Sequence, residues 1–156
     1  MERLLMLEYL KKVLLGCADG TLTANDDKKV QVAACALFIE MAKADSNFSK
    51  EEREGIISIM KSLFNIDDEY AAELMEFAGA EIKESISYYE FTSVLDESMS
   101  HDEKYEIIKS MWYIIYMDNK LDKFEDQLVK RIGGMLNLDF REIIAAKLEV
   151  KKEKNL

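Results

Sequence analysis

The chain has 156 residues, 49% hydrophobic and 33% charged, with 21 lysines and arginines against 31 acids for a net charge of −10, and no proline. At this length one domain with a buried core is expected, and the missing proline, where average usage gives about eight, favours long unbroken helices. A net acidic chain repels phosphate backbones, which sets nucleic acid aside as a partner.

Apolar residues recur at helical spacing from end to end. Leu7, Leu10 and Leu14 share one face of a first helix, and Val30, Ala34, Leu37 and Met41 mark a second. Ile56, Ile59, Met60, Leu63 and Phe64 mark a third, and Tyr70, Leu74, Phe77 and Ile82 a fourth. A short segment from Ile86 to Leu95 follows, where Tyr88, Tyr89 and Phe91 are expected to pack. Ile107, Met111, Ile114 and Ile115 form the next stripe, with Trp112 on a neighbouring face. Leu128, Ile132, Met135 and Leu136, then Phe140, Ile143, Ile144 and Leu148, complete the set. About eight helices and no strand make an all-α fold. The methionines fall largely on these stripes as gap-filling core. Gly133-Gly134 lies inside a stripe, where it weakens a helix and marks close packing or a kink.

Cys17 and Cys35 stand in no CxxC and beside no histidine, which fits buried thiols in a reduced compartment and no zinc site. The apolar start, Met1 to Leu15, is broken by Glu8, Lys11 and Lys12, too often for a secretory core. No stretch approaches the uncharged length of a transmembrane span. The cytoplasm is the expected location. Residues 45–103 hold 16 acids against four bases, whereas the tail after Lys147 is basic (Lys151, Lys152, Lys154). The acidic stretch reads as a solvated face, or as a surface for a cation or a basic partner.

The connections repeat. Four times an Asp is followed by an apolar residue at plus three, a small capping residue at plus four and a carboxylate at plus seven. The copies start at Asp19, Asp45, Asp96 and Asp118 and end at Asp26, Glu52, Glu103 and Glu125. The first and third are 77 residues apart and the second and fourth 73. Ile66-Asp67 and Leu138-Asp139 recur at nearly the same interval, each opening another helix. The expectation is a duplication: two four-helix units, roughly 1–84 and 85–156, related by a pseudo-twofold axis within a single domain, 1–156.

Thr23, Ser49, Ser100 and Asp122 each precede the plus-seven carboxylate by three residues, the spacing of a capping box. Each cap contributes about 1 kcal/mol, a sufficient structural role for those carboxylates. The leading Asp differs. Asp45 and Asp118 fall at or just after a helix C-terminus, where the macrodipole disfavours an acid. Either each bonds loop amides in an Asx-turn, or a cation bridges the two acids of the loop. Such an oxygen-only pair suits Ca2+, Mg2+ or Mn2+. The loop is not an EF-hand: positions 6 and 12 are Lys50 and Ile56 from Asp45, and Lys123 and Val129 from Asp118, where glycine and a bidentate Glu belong. A metal would therefore draw on more than one loop, and the pseudo-twofold would bring Asp45, Glu52, Asp118 and Glu125 together.

Three stretches carry a resemblance: Ala44 to Glu52, Tyr89-Glu90-Phe91-Thr92, and Met117 to Glu125. Together they resemble the tellurite-resistance TerB-like family, whose loop reads A-D-G-x-I/L-x-x-x-E and is written twice in an all-helical fold. The likeness covers most of residues 30–145. It implies a cytosolic helical protein linked to tellurite and other stress responses, with an acidic metal-binding site and no established enzymatic activity. The family's site residues carry over to Asp45, Glu52, Asp118 and Glu125. Ser46 and Asn119 stand where the family's loop has glycine, and Asn adopts the left-handed conformation more readily than Ser.

The sole histidine, His101, is expected as a solvated residue in a first helical turn. No nucleophile, base or phosphate-binding glycine loop is evident. The expectation is a non-enzymatic stress-response protein holding a divalent cation (Ca, Mg or Mn) on its acidic site. The alternative is a protein–protein interaction module whose Asp/Glu loops are only helix caps. Protein partners, a homodimer among them, are left open.

Overall fold

Helical periodicity without proline is realised as seven α-helices and one 3-10 turn, with no strand among the described residues. The computed structural model describes residues 24–43, 49–84, 88–118 and 123–156, with the backbone alone at 24–26, 43, 84, 118 and 123–124. The helices are α1 (Ala24–Lys43), α2 (Lys50–Phe64), α3 (Asp68–Glu84), α4 (Tyr89–Ser98), α5 (His101–Ile115), α6 (Lys123–Met135) and α7 (Phe140–Glu153), with the 3-10 turn at Tyr116–Asp118. The helix expected around Leu7, Leu10 and Leu14, Cys17, and residues 19–23, 45–48 and 119–122 of the loop copies lie outside the described residues.

Two helices form the centre. Every residue of α1 from Val32 to Ile39 is buried, so the stripe expected there extends to the whole circumference, as in a helix enclosed by others. Small side chains (Ala33, Ala34, Cys35, Ala36) let α2, α3, α4 and α5 pack closely around it. Burial pushes the Cys35 thiol up to about 12, which keeps it protonated and unreactive. The second central helix, α5, buries Ile107, Ile108, Met111, Trp112, Ile114 and Ile115, and packs on α7, α1, α6 and α2. Neighbours correspond across the chain. α1 packs on α3 as α5 packs on α7, and α2 on α3 as α6 on α7.

The helix ends follow local chemistry. Ser49 and Ser100 each form a capping box, with Glu52 and Glu103 respectively, as their spacing predicts. A third box joins Asp139 to Glu142, and Asp67 Oδ1 accepts from the Tyr70 amide at 2.8 Å. α2 ends at Asn65 in the left-handed region (φ 54°), and Asn137 after α6 does the same (φ 63°). At the latter, Asn137 and Leu138 donate to the Gly134 and Gly133 carbonyls, both at 3.0 Å, a Schellman arrangement. Asn–apolar–Asp at 65–67 and at 137–139 is thus one turn used twice.

Aromatic residues divide more sharply than expected. Phe91 is buried and Tyr88 half-buried, but Tyr89 is 67% exposed. As neighbours on one helix, Tyr89 and Phe91 point about 200° apart, so they cannot share a buried face. His101 is exposed, yet its Nε2 pairs with Glu142 of α7, which holds the Glu142 carboxyl below its usual range.

Asp126 of α6 joins two lysines, Lys130 at 2.6 Å and Lys147 at 3.0 Å. Burial pushes its carboxyl up, but hydrogen bonds from Lys130 and Lys147 outweigh that and hold it below its usual value. A depressed folded value means the stabilisation is complete above the unfolded value of about 3.9 and is lost as pH falls through the folded one. Urea midpoints measured from about pH 6 down to pH 2 should fall more steeply below about pH 4 in the native chain than in Asp126→Asn. Equal slopes would show that the network contributes nothing.

Candidate functional site

Residues flanking the second and fourth loops line one cavity of about 230 Å3. Met41 and Ala42, at the end of α1, and Ser49, Glu51 and Glu52, at the start of α2, line one side. Ile114 and Ile115 of α5, Met117 of the 3-10 turn and Glu125 of α6 line the other. Each loop is therefore flanked before and after by cavity-lining residues. The lining repeats at the loop interval: Met41, Ala42 and Glu52 stand 73 residues before Ile114, Ile115 and Glu125.

Glu52 is held by its cap. Its amide donates to Ser49 Oγ at 3.1 Å, and its Oε1 faces the Ser49 amide at 3.5 Å and Oγ at 3.2 Å. The cap thus aims the carboxylate and does not exclude its use as a ligand. Glu125 is the third residue of α6 and is buried. Burying a carboxylate is costly unless it is partnered, and its place in a first helical turn is the favourable end of the macrodipole. Gly55 admits Met117 to the wall, since a Cβ there would lie 2.2 Å from Met117 Cε.

Of the four residues carried over from the sequence pattern, the structure brings Glu52 and Glu125 to one cavity. Asp45 lies outside the described residues, and Asp118 is placed by its backbone in the 3-10 turn. Among the described residues no three His, Cys, Asp or Glu side chains form a metal-binding group. The oxygen donors present, two glutamates from opposite halves with Glu51 and Ser49 beside them, suit a hard cation.

The third copy does something else. Asp96 sits near the end of α4, where Lys104 of α5 reaches it at 2.6 Å and Asn137 donates at 2.9 Å. These two hydrogen bonds hold its carboxyl below the usual range. Here the leading Asp serves as a latch between α4, α5 and the turn after α6. Sequence reasoning read Met41, Ile114 and Ile115 as core and did not place them at the site. The 73-residue interval applied to the stripes, and not only to the loops, was the signal that could have done so.

A family model described as tellurite resistance protein TerB matches residues 31–148. The chain belongs to the TerB family. The match spans the second and fourth loop sequences, every residue that lines the cavity, five of the seven described helices in full and most of α1 and α7. Membership of the TerB family supports a role related to tellurite resistance. Searches of curated proteins and of solved structures gave no significant match. No helix among the described residues of this TerB-family chain is long and apolar enough to cross a membrane.

Proposed function

We propose that this TerB-family chain is a non-enzymatic stress-response protein that binds a divalent cation (Ca2+, Mg2+ or Mn2+) between two duplicated halves. The ligands are Asp45, Glu52, Asp118 and Glu125. One observation carries the reading: Glu52 and Glu125, 73 residues apart, line the same cavity. The corresponding wall residues and the corresponding packing of α1 on α3 and α5 on α7 support a pseudo-twofold duplication with the cavity at its axis. A cavity lined by carboxylates attracts cations and repels oxyanions, so tellurite itself is not the ligand. The acids specify a ligand and no reaction. The cytoplasm remains the expected location.

The rival reading, an interaction module whose acids only cap helices, draws on the complete Ser49–Glu52 box. Thermal unfolding with Ca2+, Mg2+ and Mn2+ separates the two. At a hundredfold excess over Kd a ligand stabilises by about 2.7 kcal/mol, which for a chain of this size raises Tm by about 5–10 °C. The rise should vanish in Asp45→Ala/Asp118→Ala and in Glu52→Gln/Glu125→Gln. No rise at millimolar ion, or an equal rise in both variants, leaves the capping reading standing.

A further inference from the structure

The outer face of α7 carries an apolar stripe that the bundle leaves uncovered. Phe140 and Leu148 are each 58% exposed, and half-buried Ile144 lies between them at a spacing of four, which sets all three on one side of the helix. The fold does not require it. In α3, reached through the same Asn–apolar–Asp turn 72 residues earlier, buried Ala71, Leu74 and Ala78 answer Ile143, Ala146 and Val150 of α7. The outer positions there are Asp68, Ala72 and Glu76. One face of the same architecture is polar and the other is apolar.

Charge on α7 is sorted in the same way. Its acids are spent on α5: Glu142 on His101, Glu149 on Lys109 at 3.4 Å, and Glu153 on Lys109 at 3.1 Å. Among the described residues Arg141, Lys151 and Lys152 make no ion pair, and they lie on the side of α7 that carries the stripe. Lys130 of α6, 5.7 Å from the Phe140 ring centroid, closes one edge. In a chain of net charge −10, this is a basic-rimmed apolar strip.

We propose that this strip docks an acidic amphipathic helix of a partner protein. Apolar residues spaced by three and four would cover Phe140, Ile144 and Leu148, and carboxylates would meet Arg141, Lys151 and Lys152. The charge complementarity selects an acidic partner. The strip is one residue wide because α7 turns its broader apolar face into the bundle, which suits a helix better than a bilayer surface, where the whole apolar face would insert.

The test uses the full chain and two synthetic helical probe peptides with leucines at i, i+4 and i+7, one flanked by Glu and one by Lys. Fluorescence anisotropy should show the acidic peptide binding and the basic one not, with affinity falling as salt rises. Leu148→Glu should weaken binding about tenfold or more, while Glu76→Lys on the corresponding face of α3 leaves it unchanged. Absence of binding, equal binding of both peptides, or an unchanged Leu148→Glu overturns the proposal. So does capture by phosphatidylglycerol vesicles that Leu148→Glu abolishes without acidic-peptide binding, which makes the strip a membrane contact. A concentration-dependent dimer dissolved by the same substitution makes it a contact between copies of this chain, and overturns the proposal equally.

Discussion

Replacing Trp112 by alanine is expected to remove about 3–5 kcal/mol of stability, a large share of the roughly 5–15 kcal/mol that holds a domain folded. Trp112 is the largest fully buried side chain. Its Nε1 donates to the Ile143 carbonyl at 3.0 Å, the Lys147 ammonium lies 5.2 Å from its ring centroid, and Tyr116 stacks on it with centroids 6.4 Å apart. It therefore ties α5 to α7 by packing, by a hydrogen bond and by a cation. Trp112→Phe keeps most of the packing and loses the donor, so its loss should be smaller, with about 0.5–1.5 kcal/mol of it from the hydrogen bond. Urea unfolding of the three proteins measures both steps. An alanine variant within 1 kcal/mol of the native chain would falsify this account of the core.

Adjacent glycines should respond in opposite directions. At Gly133 a Cβ would sit 2.5 Å from Ile143 Cδ1 and 2.8 Å from its Cγ1. Ile143 is β-branched and buried, so it has little freedom to turn aside. Overpacking of this kind costs about 1–3 kcal/mol, against about 0.5–1 kcal/mol gained when a helical glycine becomes alanine. At Gly134 nothing lies within 4 Å of the added Cβ, and only the gain remains. Gly133→Ala should lower Tm and Gly134→Ala should raise it. Ile143→Val removes Cδ1, so combining it with Gly133→Ala should cost less than the sum of the two alone. Calorimetry on the four variants decides. Gly133→Ala matching Gly134→Ala would show that α6 and α7 are not in the close contact described.

The pair also shows what could be read without coordinates. That Gly133-Gly134 marked close packing or a kink was legible, because glycine in a helix has a cost that needs a reason. Which of the two touches a neighbour was not, because that depends on the angle at which α7 crosses α6. The capping boxes at Ser49 and Ser100 were legible in full, since cap and carboxylate are three residues apart. Asp96 was not. Its loop follows the same four-position pattern as the others, yet its partner Asn137 is 41 positions away, and no local pattern reports such a pairing.

The candidate site divides along the same line. Of its carboxylates, Asp45 and Asp118 stood out because an acid expected at a helix C-terminus opposes the macrodipole, and Glu52 and Glu125 because each recurs seven residues on in a repeated loop. Its walls did not, because Met41, Ala42, Ile114 and Ile115 are apolar residues on helical stripes and look like core. Helix type, the caps at Ser49 and Ser100 and the 73-residue interval rest on interactions within about four residues or on direct comparison of one stretch with another. The sequence by itself determined these. That Glu52 and Glu125 share a cavity while Asp96 is latched by Lys104 and Asn137, and that α7 leaves its basic-rimmed face open while α3 presents acids, only the tertiary structure decided. Those outcomes depend on which helices meet and where they cross, and the forces that set this act between residues tens of positions apart.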